Sequence, residues 1–177
     1  MTTGAAYDIA VRILRDATAR GLTVATAESL TGGLVAATLT GVPGASAVVL
    51  GGIVSYSSAV KSSVLGVPAD LLAARGAVDP DVAVAMADGV ASLLRADLAV
   101  ATTGVAGPTE ADGKPVGRVY IAVNRPGAVR ELQLPGNREE IRAATVRSAL
   151  ELLADVMAGD PDEEDVRRPG AGESSLP

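Results

Sequence analysis

The sequence predicts a single-domain α/β fold with a mixed central β-sheet sandwiched by helices. Three observations carry that expectation. Segments with helical spacing of apolar residues alternate with short runs rich in Val, Ile and Ala. Two such runs, 118–124 and 128–134, are joined by Arg125-Pro126-Gly127, a hairpin signal that argues against an all-parallel sheet. The chain has 177 residues, 48% of them hydrophobic and 20% charged, enough for one core.

Taken in order, residues 5–20 place Ile9, Ile13 and Leu14 with Ala5, Ala6 and Ala17 on one helical face, closed by Gly21. Residues 22–27 read as a short strand. Glu28-Ser29-Leu30-Thr31-Gly32-Gly33 then leads into a second helix ending near Thr40. Gly41 to Gly44 is a turn, and 45–56 reads as one strand ending at Ser55-Tyr56. Short helices are expected at 57–65 and 68–74. Asp79 is an N-cap with Pro80 at the first helical position of a long amphipathic helix reaching Arg95. Residues 97–103 form a strand, and Gly104 to Gly117 a loop with four glycines and two prolines. Asn137 caps a last helix, 138–158. The folded domain is expected over 1–158, and 159–177 has the composition of an acidic, disordered tail.

Composition removes several chemistries. Histidine and cysteine are absent, so Ser-His-Asp triads, Cys-His pairs, thiolate metal sites and disulfides are excluded. Any nucleophile and base must come from Ser, Thr, Tyr, Lys, Asp or Glu. Of the net charge of −6, the tail carries −4, from six acids against two arginines. The body is nearly neutral and has no basic stripe, which argues against nucleic-acid binding. No apolar run approaches the ~18 residues of a spanning helix, and no basic-then-apolar leader opens the chain. A cytoplasmic protein without membrane contact is the expectation.

Of 15 basic residues, only Lys61 and Lys114 are lysines. In an arginine-rich background a lysine can be kept for its ability to lose a proton, which arginine lacks. Lys61 falls about one turn into the helix that follows Tyr56, so its amine can fold back toward the strand end. Burial there would lower its pKa and make it a general base; the plainer reading is a surface lysine whose stem covers apolar atoms. Ser29 stands at a strand-to-helix junction, where free amides can bind an anion and Gly32 and Gly33 allow close approach. Equally, Ser29 or Thr31 could simply cap the helix. Thr103, Gly104, Ala106 and Gly107 open a glycine-rich loop after a strand, either a ligand wall or a connector. Arg138 and Arg142, one turn apart, could hold a phosphate or form salt bridges along their own helix.

The motifs AESLTGG (27–33), VSYSSAVKSSVLGV (54–67), RGAV (75–78), TTGVAGP (102–108), GKPVGRVYIAV (113–123) and GNREEIR (136–142) together resemble the C-terminal domain of the CinA family, in the family's order. The resemblance implies a stand-alone amidohydrolase that deamidates nicotinamide mononucleotide through an acyl-enzyme. It implies Ser29 as nucleophile, Lys61 as base and Tyr56 as proton relay or orienter between them. Glu28, Leu30, Thr31, Gly32, Gly33, Thr103, Gly104, Ala106, Gly107, Arg138 and Arg142 would bind the mononucleotide, with no metal or organic cofactor. It also implies a homodimer or higher homo-oligomer. One departure is Ser58, where many members have Asn; the shorter side chain reaches fewer partners. Two other readings compete: a non-catalytic module binding a mononucleotide or protein, and a partner of competence or repair proteins.

Overall fold

A computed structural model describes residues 4–159. Its elements are α1 (Gly4–Arg20), β1 (Val24–Glu28), α2 (Leu34–Thr40), β2 (Val49–Val54), α3 (Ser58–Leu65), α4 (Ala69–Arg75), α5 (Pro80–Leu94), β3 (Leu98–Gly104), β4 (Arg118–Val123), β5 (Val129–Gln133) and α6 (Arg138–Ala158). The acidic tail expected over 159–177 lies, beyond Gly159, outside the described residues.

Local chemistry explains the helix ends. Asn137 accepts from the amides of Glu139 and Glu140, and Glu140 accepts from the Asn137 amide, which makes a complete capping box at α6. Asp79 accepts from the Asp81 amide at the start of α5. Ser57 accepts from the Val60 amide and starts α3. The strand expected across 45–56 is shorter than expected. Residues Ala45–Ala47 form a 3-10 turn, and only Val49–Val54 pairs. Ala45, Ser46 and Ala47 are poor strand formers, and the preceding turn carries them into a tight helical turn instead.

The sheet has five strands in the order β2-β1-β3-β4-β5. β2, β1 and β3 are parallel, while β4 and β5 are antiparallel, joined by the expected hairpin. Helices α1, α2 and α6 cover one face, and α5 with α3 covers the other. The α5 face of β1 and β3 is lined by Ala25, Ala27, Ala99 and Ala101, all fully buried. Such small side chains let α5 lie close to the sheet, so the core closes without Phe or Trp. The opposite face uses larger residues, among them Leu39, Ile121, Leu150 and Leu153. β1 lies between β2 and β3, so the chain reverses direction across the sheet beside β1. Crevices at the carboxyl ends of parallel strands on either side of such a reversal are where open α/β sheets hold ligands.

Candidate active site

Ser29 is the first residue beyond β1, at that carboxyl end. Its amide donates to the Thr102 carbonyl of β3 at 2.9 Å, which ties the serine to the neighbouring strand. Its hydroxyl meets Lys61, whose Nζ lies 3.1 Å from Ser29 Oγ. Lys61 is fully buried on the inner side of α3. Nζ also donates to the Ser55 carbonyl at 2.7 Å and approaches the Tyr56 carbonyl at 3.5 Å. A neutral amine has two N–H bonds and one lone pair. With two carbonyls taking the N–H bonds, the lone pair is left for the serine hydroxyl.

Among the described residues Lys61 has no carboxylate at ion-pair distance. Burial lowers its pKa from 10.5 to about 8, and the more distant negative charge of Asp112 opposes that shift. A lysine with this environment is neutral for a useful fraction of the time near neutral pH, which is what a general base needs.

The other expected site residues sort into distinct roles. Glu28 is buried and turned inward. Its carboxylate accepts from the amides of Gly33, Val35 and Ala36 at 2.9, 3.0 and 2.8 Å, so it caps α2 from within. This changes the expectation of a free helix end: a carboxylate already neutralises it, and no phosphate can occupy the same amides. Gly32 donates to the Ser29 carbonyl and Leu34 to the Thr31 carbonyl. Within the 29–33 turn, the amides of Leu30 and Thr31 are thus left without a partner among the described residues. Gly33 has φ +97°, a left-handed turn conformation that suits glycine.

Arg142 does not present a free guanidinium. Its Nε donates to the Leu30 carbonyl at 2.9 Å and its Nη2 to the Thr31 carbonyl at 3.0 Å, clamping the turn that carries Ser29. Leu30 and Ala106 are core residues. Thr31 Oγ1 pairs with Thr102 Oγ1 at 2.8 Å, and Thr103 Oγ1 donates to the Ala77 carbonyl at 2.6 Å, all inside. Gly104 lies against β4, where a Cβ would stand 2.7 Å from the Arg118 carbonyl oxygen.

Tyr56 departs from its expected place between Ser29 and Lys61. The phenol is 62% exposed and its hydroxyl accepts from Arg138 Nη2 at 3.0 Å. The serine and lysine touch directly, so no phenol intervenes; the part of Tyr56 that reaches Lys61 is its main-chain carbonyl. Arg138 also donates to the Gly107 carbonyl at 2.9 Å. Tyr56, Arg138 and Gly107 therefore form a rim cluster. Ser58 is exposed at the start of α3 and is not among the groups that hold Lys61.

Sequence reasoning did not single out Ser55 or Asp112. Ser55 supplies the shortest contact to Lys61, and its own Oγ is buried without a partner among the described residues. Asp112 adopts φ +51° and accepts from the Ala77 amide at 2.7 Å. Strand alternation could have pointed to Ser55, since it faces opposite to Tyr56; nothing in the loop pattern marks Asp112. No group of three or more acidic side chains able to hold a metal ion occurs among the described residues. Nor is any helix among them long and apolar enough to cross a membrane.

A mixed five-stranded α/β sandwich with a buried serine–lysine pair at its parallel strand ends defines the class of domain. The family model described as the CinA C-terminal domain matches residues 6–157, and the chain belongs to that family. A CinA-like protein from Frankia casuarinae is 54% identical over 147 residues, covering 82% of this chain and 34% of the relative. A putative competence-damage inducible protein from Desulforamulus reducens is 51% identical over 141 residues, covering 78% and 34%. The chain thus spans about a third of the length of the curated relatives it matches. The crystal structure of the competence/damage inducible protein CihA from Agrobacterium tumefaciens has a TM-score of 0.84 at 44% identity, covering 89% of this chain and 98% of that one. A CinA superfamily protein from Klebsiella pneumoniae also reaches 0.84, at 34% identity, with 87% and 98% covered.

Proposed function

We propose that the chain is an amidohydrolase that converts nicotinamide mononucleotide to nicotinate mononucleotide and ammonia through an ester on Ser29. The observation that carries this reading is the buried 3.1 Å contact between Lys61 Nζ and Ser29 Oγ, without a carboxylate partner for the lysine. Family membership and the resemblance in six motifs support the substrate class.

In the proposed reaction the neutral Lys61 amine accepts the Ser29 proton as Oγ attacks the carboxamide carbon. The amides of Leu30 and Thr31 are the available donors for the oxyanion. As the C–N bond breaks, the Lys61 ammonium gives its proton to the departing nitrogen, and ammonia leaves. Water then adds to the ester, Lys61 takes its proton and returns one to Ser29 Oγ, and the carboxylate product is released. Arg138, exposed on the rim, is the cation available to a substrate phosphate; Arg142 already serves the turn.

The test is ammonia release from nicotinamide mononucleotide, nicotinamide and NAD, side by side, with wild type and Ser29→Ala. The reading expects turnover of the mononucleotide by wild type and background rates from the variant. Binding without turnover, unchanged in Ser29→Ala, would establish a binding module instead.

A further inference from the structure

Among the described residues, every buried serine or threonine hydroxyl but one has a hydrogen-bond partner. Thr26, Thr31, Thr38, Thr102, Thr103 and Thr145 are each paired within the fold, and Ser29 meets Lys61. Ser55 is the exception: it is fully buried and its Oγ has no partner among the described residues. A buried hydroxyl left unpaired lowers stability, a cost that alanine on the same backbone would avoid.

Strand register places this hydroxyl. Glu28 of β1 pairs with Val54 of β2, and the Ser55 amide donates to the Glu28 carbonyl at 2.8 Å, so the pairing runs one residue past β2. Ser55 therefore stands level with Ser29. Alternation puts Ser55 with Ile53, and Ser29 with Ala25 and Ala27, on the face covered by α5 and α3. Lys61 reaches onto that face between the two serines, 3.1 Å from Ser29 Oγ and 2.7 Å from the Ser55 carbonyl. The unpaired hydroxyl and the amine belong to one cluster.

The proposed reaction makes a demand on that cluster. Once Lys61 has taken the Ser29 proton, it is an ammonium with three N–H bonds to place. The Ser55 carbonyl takes one. The Tyr56 carbonyl, at 3.5 Å, is at the outer limit of a hydrogen bond. Ser29 Oγ becomes an ester oxygen, a weaker acceptor than a hydroxyl. A buried cation needs its hydrogen bonds, and no nearby ionisable group supplies one. Glu28 is turned to the amides of α2, and Asp79 accepts from the Asp81 amide. The phenol of Tyr56 is held by Arg138 and that of Tyr120 by Arg118, while Asp112 acts on Lys61 only from a distance.

We infer that Ser55 is a positioning residue for Lys61: its hydroxyl turns about χ1 to accept an N–H of the ammonium, the acceptor that the charged amine otherwise lacks. A serine χ1 has three staggered wells, so the turn needs no backbone movement. The inference rests on the reading of Lys61 as the base for Ser29, and extends it to the half of the cycle in which the amine carries the proton.

Titration of Lys61 in the resting protein tests it. With lysine labelled at Cε, the chain gives two signals by NMR, and Lys114 is the internal control. The wild-type midpoint for Lys61 is expected near 8. A hydrogen bond to the charged form favours that form, so Ser55→Ala is expected to make Lys61 bind its proton about threefold more weakly, with Lys114 unmoved. Ser55→Cys keeps the size of the side chain but offers only a weak acceptor. It is expected to shift Lys61 the same way, and it decides the matter if the alanine variant does not fold. A hydroxyl with a merely structural role would change the melting temperature and leave the midpoint in place. A Lys61 midpoint that is unmoved or raised in a folded Ser55 variant overturns the inference. Should wild type release no ammonia from nicotinamide mononucleotide, the reading of the reaction fails instead; the titration uses no substrate and still decides whether Ser55 holds the ammonium.

Discussion

At the scale of single residues, the proposed mechanism has Lys61 trade stability for reactivity. Its folded pKa of about 8 lies below the ordinary 10.5, so below pH 8 folding must bury an ammonium. That difference corresponds to about 3 kcal/mol of destabilisation at neutral pH, relieved as pH rises through 8 and beyond. Lys61→Met removes the buried charge but leaves the Ser55 carbonyl without its donor. We expect it to raise unfolding stability at pH 7 by about 2 kcal/mol while abolishing ammonia release, checked by thermal or urea melts. The same pKa sets the pH profile. In the proposed mechanism Lys61 works as base when neutral, so kcat/KM is expected to rise about tenfold per pH unit below 8 and level off above it. Asp112 holds the ammonium form; Asp112→Asn keeps an acceptor for the Ala77 amide but removes the charge. Its acid limb is expected to move to lower pH; an unmoved or raised limb would show that Asp112 does not act on Lys61. Lys61 was legible in the sequence because lysine is rare against an arginine background. The phenol of Tyr56 was misplaced because consecutive residues at a strand end face opposite ways: Ser55 points in and Tyr56 out.

At the scale of elements, the site depends on how α2 begins. A helix this short contributes little from its own propensity. Its first amides are instead held by the Glu28 carboxylate, and the turn before it by Arg142. Glu28→Ala is expected to cost about 3 kcal/mol, since it strands three amides that the carboxylate now satisfies, and the loss is readable in a denaturant melt. Arg142→Lys, which cannot reproduce the two-carbonyl clamp, is expected to lower kcat more than it raises KM, because it loosens the Ser29 turn rather than a substrate contact. The resemblance implied that both residues bind the ligand, and nothing in the sequence brought Arg142 to the Ser29 turn. A polar residue beside a glycine-rich junction looks the same whether it holds substrate or backbone. Only the direction of its side chain separates the two, and that depends on packing between distant strands.

At the scale of the whole molecule, helix boundaries and the hairpin were readable because they depend on local chemistry. Asn137, Asp79-Pro80 and Arg125-Pro126-Gly127 are signals within a few residues. Strand order was not readable, since pairing β1 with both β2 and β3 is decided by contacts far apart in sequence. That order brings Ser29 and Thr102 together and leaves β2 at the edge. The same strand β2 delivers Ser55 and Tyr56 to Lys61, so an edge strand of the sheet holds the amine in place.

The central claim is that an uncharged amine at position 61 activates the hydroxyl at position 29. The most direct measurement is the rate of ammonia release from nicotinamide mononucleotide by Lys61→Arg beside wild type at pH 8, with folding checked by circular dichroism. A guanidinium keeps the cation but cannot accept a proton, so the account predicts a fall of roughly a thousandfold in a folded variant. A folded Lys61→Arg protein working within tenfold of wild type would contradict it.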